Sequence, residues 1–218
     1  MTRVSAVLIL SMVVGAMAMP AAAQEVHVGA LGGFGWTSFA FSPAPPVDFT
    51  KPARPSAGGL VSVDLTGAVG LETRVVWQRK AVRWQESEGG LTATATAEAD
   101  YVSVPVLVRL VAPAGRTRPY ALAGAEVSFK TRAALTGSVE SPSGDPTVVL
   151  DEEFSGQVRG TDVALAVGGG VEFPAGRVSI FFDGLYTHGL RNVPGDAADS
   201  EFVNTKARTF RVSAGIRF

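Results

Sequence analysis

The sequence contains no cysteine. That absence excludes a disulfide framework, a cysteine-ligated zinc and a thiol nucleophile. Net charge is almost absent as well. The 19 basic and 20 acidic residues leave a formal charge of -1, so no field draws the chain to nucleic acid. Histidine is scarce, with only His27 and His188. Long apolar runs are missing too. Hydrophobic residues make up 46% of the chain, yet beyond the N-terminus none of their runs approaches the roughly 18 residues of a spanning helix. Glycine is plentiful, at 25 residues, and with the spread of Val, Thr and Ser it suits strands and turns better than helices.

The N-terminus has the plan of a secretory signal. Arg3 supplies a positive end, Val4 to Val14 an apolar core, and Ala21-Ala22-Ala23 before Gln24 a small-residue cleavage site. We expect a removed signal peptide over 1–23 and one domain over 24–218. The apolar core is too short for a membrane anchor. With no cysteine near the cleavage point, a lipid-modified N-terminus is not expected.

Beyond residue 24 the pattern has a period of two, the period of a strand. It is plainest in Lys206 to Phe218. Phe210, Val212, Ala214, Ile216 and Phe218 share one parity, and Thr209, Arg211, Ser213, Gly215 and Arg217 the other. Seven earlier stretches behave alike: about Glu25–Phe39, Gly58–Leu65, Ala68–Trp84, Tyr101–Val111, Pro119–Ala133, Gln157–Phe173 and Arg177–His188. In the fifth, Tyr120 and Leu122 fall on the polar parity, so its start is ambiguous.

Connections alternate in length. Thr66-Gly67, Ala112 to Arg118 and Pro174-Ala175-Gly176 are short, as hairpin turns are. Ala40–Ala57, Gln85–Asp100, Ala134–Gly156 and Gly189–Thr205 are long and polar or proline-rich. That alternation predicts an up-and-down meander with one plain rim and one elaborated rim, and the even strand count puts both termini at the plain one.

Period alone does not separate a soluble barrel from its inverse. A lipocalin-like or sandwich fold would bury the apolar parity, whereas a membrane barrel turns it to lipid. Three features favour the second. The apolar parity runs nearly unbroken over about the 9 to 11 residues of a tilted spanning strand. Aromatics gather near segment ends, at Phe34, Trp36, Phe39, Trp77, Trp84, Phe129, Phe173, Tyr186 and Phe218. The other parity carries both signs: Glu72, Glu126, Asp162, Glu172 and Asp183 against Arg74, Arg109, Lys130, Arg211 and Arg217. Inside a closed barrel these can pair. The expected fold is all-β, an eight-stranded antiparallel up-and-down transmembrane β-barrel of outer-membrane type.

Several pieces also resemble the outer-membrane β-barrel domain typified by PorT-like proteins. They are Tyr101-Val-Ser-Val-Pro105-Val-Leu-Val-Arg109, Arg118-Pro-Tyr120-Ala-Leu-Ala-Gly124 and Asp162-Val-Ala-Leu-Ala-Val-Gly168-Gly-Gly170-Val-Glu172-Phe. Gly184-Leu-Tyr186-Thr-His-Gly189-Leu-Arg-Asn192 and the closing Phe218 follow in order. The resemblance covers most of the chain after residue 23. It implies an eight-stranded outer-membrane barrel and little about activity, with roles in secretion or surface structure. The closing aromatic resembles the signal read by the outer-membrane assembly machinery.

Eight strands enclose just enough room for their own side chains, so Glu72, Arg74, Arg109, Glu172 and Arg211 are expected to plug the lumen rather than line a pore. His188, near the long-loop rim, is the one candidate base for a lipid A-modifying site, with Ser200 and Asp196, Asp199 or Glu201 in the adjacent loop. No spacing rule unites them into a triad, and His27 falls near the other rim. Asp145, Asp151, Glu152 and Glu153 lack the register of a calcium loop. Gly168-Gly169-Gly170 precedes no helix, so it is not a phosphate loop. Such glycines let a barrel wall bend or admit a large neighbour. We therefore expect no enzyme and no catalytic, cofactor-binding or metal-ligating residue. The expected partners are outer-membrane lipid, the assembly machinery and another envelope or surface protein. A soluble periplasmic ligand-binding barrel is the remaining alternative.

Overall fold

The computed structural model describes residues 25–42, 49–88, 91–112, 116–140, 146–153, 160–191 and 204–218. These form ten strands: β1 (Glu25–Ser42), β2 (Phe49–Thr50), β3 (Arg54–Asp64), β4 (Val69–Glu88), β5 (Leu91–Val111), β6 (Arg118–Glu140), β7 (Pro146–Glu153), β8 (Thr161–Ala175), β9 (Val178–Gly189) and β10 (Asn204–Arg217). Eight of them close a ring, β1-β3-β4-β5-β6-β8-β9-β10, each antiparallel to its neighbours. β2 adds to the edge of β4 and β7 to β6. The seam joins the first strand to the last, from Gly29↔Arg217 to Ser42↔Asn204. Phe218 extends it. Its N–H donates to the Val28 carbonyl at 2.8 Å, and the Val28 N–H to the Phe218 oxygen at 3.3 Å.

The faces are those of a membrane barrel. On β5, Val106 is 50% exposed and the next residue, Leu107, 0%. Phe34, Trp36, Val75, Trp77, Phe129, Val167, Phe182, Tyr186, Phe210 and Val212 all point outward, while Glu72, Arg74, Arg109, Glu126, Glu172, Arg211 and Arg217 are buried inside. The soluble alternative, apolar in and polar out, is the reverse of this. No helix among the described residues is long and apolar enough to cross a membrane. The strands cross instead, each satisfying its backbone on both edges, as a hydrocarbon surrounding requires.

Two expectations are corrected. Gln85–Asp100 and Ala134–Gly156 are not simply loops. β4 and β5 run on to Glu88 and from Leu91, β6 reaches Glu140, and β7 pairs with β6. Together they raise a sheet beyond the barrel. The expected start of the sixth segment at Gln157 lies outside the described residues, and β8 begins at Thr161. Tyr120 and Leu122 are unambiguous in the structure: both are buried on the lumen side.

Backbone details follow from residue type. Gly176, with φ 70°, turns β8 into β9, a conformation open to glycine at little cost. A Cβ on Gly170 would lie 2.8 Å from the Tyr120 hydroxyl oxygen and 2.7 Å from the Asp183 Cβ, so this glycine admits large lumen groups. Pro105 sits in mid-β5, where it supplies no N–H to the ladder. Its carbonyl accepts from the Thr73 hydroxyl at 3.1 Å.

Candidate functional site

The barrel interior holds two polar networks separated by an apolar layer. Nearer the short turns, Arg74 donates through Nε to Glu72 Oε1 at 2.7 Å and pairs with Asp183. Arg217 bonds both Glu72 and Glu172, the latter at 2.9 Å. Arg109 pairs with Glu172, and the Tyr120 hydroxyl donates to Asp183 at 3.1 Å. Three arginines thus answer three carboxylates. Two of the guanidiniums lie over the Phe181 ring, Arg74 at 5.9 Å and Arg217 at 5.5 Å from its centroid. Arg109 lies 4.7 Å over Tyr120.

Nearer the long connections, Arg211 donates to Glu126 and to the Gln78 carbonyl oxygen, each at 3.0 Å. Gln78 donates to Ser103 at 2.5 Å, and the Ser103 and Ser128 hydroxyls meet at 2.7 Å. Above this set Lys80 faces Asp162 at 3.6 Å and lies 4.6 Å over the Tyr101 ring.

Between the networks sit Leu31, Leu60, Val76, Leu107, Leu122, Ala166 and Leu185, part of one buried cluster that also takes in Tyr120 and Phe181 of the first network. Along β4 the lumen positions read Glu72, Arg74, Val76, Gln78, and along β5 Arg109, Leu107, Pro105, Ser103. The apolar layer follows from that order. Buried ions of this kind persist because each is paired. As expected from the sequence, Glu72, Arg74, Arg109, Glu172 and Arg211 fill the lumen.

The long-loop rim is built differently. At the top of the ring a β-bulge falls between Asp100 and Tyr101 in the β5–β6 pairing, leaving Thr131 unmatched. Below it the outward residues of β5 are Val102, Val104, Val106, Val108 and Leu110; above it they become Asp100, Glu98, Thr96, Thr94 and Thr92. The outward face therefore changes from lipid-like to water-like at one rung. Arg79 clasps Asp100 there, Nε to Oδ1 at 2.7 Å and Nη2 to Oδ2 at 3.0 Å. That bond raises the Arg79 pKa above its ordinary value, with burial opposing. Arg79 also reaches Glu98, which pairs with Arg54, and Arg83 donates to Thr96 at 3.3 Å.

The lumen-side parity of this raised sheet is apolar. It carries Val82, Trp84, Ala93, Ala95, Ala97, Ala99, Ala133, Leu135 and Val139. Phe49 meets Trp84 edge-on, with ring centroids 6.3 Å apart. Trp84 is thus not part of a lipid-facing girdle, as its sequence position had implied, and Phe39 shares the inward parity of the buried Thr37. Trp36, Trp77, Phe129 and Tyr186 do form the outer belt, and Phe173 and Phe218 lie toward the other rim. Trp36 stacks on Phe210 at 6.2 Å.

The histidines stay apart. His188 lies at the long-loop rim, and its cross-strand neighbours are Leu165 and Arg208, neither a nucleophile nor an orienting acid. Ser200, Asp196, Asp199, Glu201 and Asp145 lie outside the described residues. Asp151, Glu152 and Glu153 fall on β7 rather than in a loop. His27 lies at the short-turn rim beside Glu25 and Asp64. That grouping was invisible in the sequence, because it depends on the register of β1 against β3.

The model of the outer membrane protein beta-barrel domain matches residues 6–218. Among solved structures, Neisserial surface protein A is 14% identical, over 90% of this chain and 98% of that one, with a TM-score of 0.49. OprG of Pseudomonas aeruginosa is 13% identical, over 89% and 97%, with a TM-score of 0.46. Ail, the attachment invasion locus protein of Yersinia pestis, is 15% identical, over 89% and 99%, with a TM-score of 0.41. No curated protein matches the chain. With its closed ring, its paired lumen and its apolar belt, the chain belongs to the outer membrane protein β-barrel family and resides in the outer membrane, embedded in its lipid.

Proposed function

We propose that this protein is a non-enzymatic interaction protein of the outer membrane, working through the sheet that β4, β5, β6 and β7 raise beyond the aromatic belt. One observation carries the reading. In that sheet the polar ladder of Arg79, Arg83, Glu98 and Asp100 faces outward, while the opposite parity is a run of Ala, Val, Leu and Trp84. A barrel needs no such surface to stay in a membrane. The lumen supports no rival role, because its charges are paired and an apolar layer divides them. The partner we infer is another envelope or surface protein.

Export by a cleaved signal over 1–23 and recognition of Phe218 by the assembly machinery belong to the same reading. Within the family we group the chain with PorT-like proteins, on the Tyr101–Arg109, Arg118–Gly124 and Asp162–Phe173 pieces. No observation favours a rim enzyme based on His188.

The test is to shorten the β4–β5 hairpin and the β6–β7 extension to the level of Trp77 and Phe129. The barrel should still shift in mobility on heating, and crosslinking in outer membranes should lose the partner that the parent captures. If crosslinks and phenotype survive the shortening, the raised sheet is not the working surface.

A further inference from the structure

At the short-turn rim, opposite the raised sheet, three donors converge, of which only Asp64 touches a lumen network, through Arg109. The strand period places Glu25 and His27 on one face of β1, and the register with β3 sets Asp64 across from Glu25 and Ser62 across from His27. His27 Nε2 lies 3.5 Å from Asp64 Oδ2 and 3.8 Å from Glu25 Oε2. The three donor atoms all lie within 4.8 Å of one another.

The other ring nitrogen orients the first. His27 Nδ1 lies 3.3 Å from the Phe218 backbone oxygen, which can only accept. Nδ1 is therefore the donor in that bond, and in the tautomer protonated there alone Nε2 presents its lone pair beside the two carboxylates. A cation placed among these three donor atoms offsets the repulsion between the two carboxylates. Zinc holds imidazole nitrogen and carboxylate oxygen at about 2.0–2.2 Å, so tetrahedral donors around it lie about 3.4 Å apart. The two His27 distances are already close to that spacing. A donated ring N–H on a backbone oxygen is also the usual support of a metal-bound histidine. The second Asp64 oxygen is held from behind by Arg109 Nη1 at 3.7 Å.

We propose that Glu25, His27 and Asp64 bind a divalent transition-metal ion of the zinc class at the short-turn rim, completed by water at the open position. The ion joins β1 to β3. Through the His27–Phe218 bond it also ties both strands to the end of β10, where the ring closes. The occupant is thus a structural clasp on the barrel seam. Imidazolium formation is the competing way to answer the two carboxylates, with Arg109 the other cation at hand; it predicts a response to pH and none to metal.

The experiment uses untagged protein purified from outer membranes, stripped with a chelator and titrated with zinc at pH 7.5. Calorimetry should show one saturable site per chain, and the temperature at which the heat-shifted band appears should rise with zinc. Cobalt alone should give the visible absorption of a four-coordinate ion. H27A and D64N should each lose binding at least tenfold while keeping the folded band, and H188A should bind as the parent does. Absence of a saturable site overturns the proposal. So does zinc binding that persists in H27A and D64N, or a stability that follows pH but ignores zinc.

Discussion

Arg211 and Glu126 meet across the lumen at 3.0 Å, one on β10 and the other on β6, three strands apart around the ring. Gln78, on β4, takes the other end of the same guanidinium. One side chain therefore braces three well-separated parts of the wall. Replacing it with a neutral group leaves Glu126 buried without its partner. R211M should lower the unfolding free energy in lipid vesicles by about 3–5 kcal/mol. Removing both charges, in R211M with E126L, should restore most of that. Urea unfolding followed by tryptophan fluorescence reads both. Equal loss in the single and double variants would mean that the pair does not brace the barrel.

The outward face changes character between Val102 and Asp100. An arginine at Val106, in the middle of the apolar stretch, should cost about 2–4 kcal/mol. The same residue at Thr96 should cost almost nothing, since Thr96 already accepts from Arg83 on a polar face. Folding yields into vesicles, compared side by side, check the contrast.

The apolar layer of Leu31, Leu60, Val76, Leu107, Leu122 and Leu185 lies in the lumen between two charged networks. Purified protein in planar bilayers should show no steady conductance. Trimming Leu107 and Leu185 to alanine should open a leak, or destabilise the barrel by about 2–5 kcal/mol per site. Steady channels in the parent protein would contradict the layer.

His188 has Leu165 and Arg208 as its cross-strand neighbours. H188A should leave folding and the lipid A profile of the outer membrane unchanged, as mass spectrometry of extracted lipid can establish.

Much of this architecture is written in the strand period. Phe210, Val212, Ala214, Ile216 and Phe218 announce the lipid face, and the arginines and carboxylates of the other parity announce a paired lumen. Short turns such as Thr66-Gly67 settle the strand order. The raised sheet was hidden because Leu91 to Asp100 alternates only Ala with Thr and acids. Its amphipathicity is weak and has the opposite sense to the membrane part. The lumen layer was hidden because Leu107 and Leu185 share a parity with charged residues. An apolar side chain on a polar parity reads locally as noise. The His27–Asp64 approach and the Arg211–Glu126 brace depend on long-range register, which no single stretch of chain contains.

The central claim is that the apolar parity faces lipid and the charged parity faces inward. Because the chain has no cysteine, single cysteines can be placed from 92 to 110 on β5 and probed in intact cells with a water-soluble maleimide. The account predicts labelling at the even positions from 92 to 100, protection at 102, 104, 106, 108 and 110, and reaction of those five only with a lipid-soluble reagent. Ready labelling of 102 to 110 from water would contradict it, because those side chains would then face solvent.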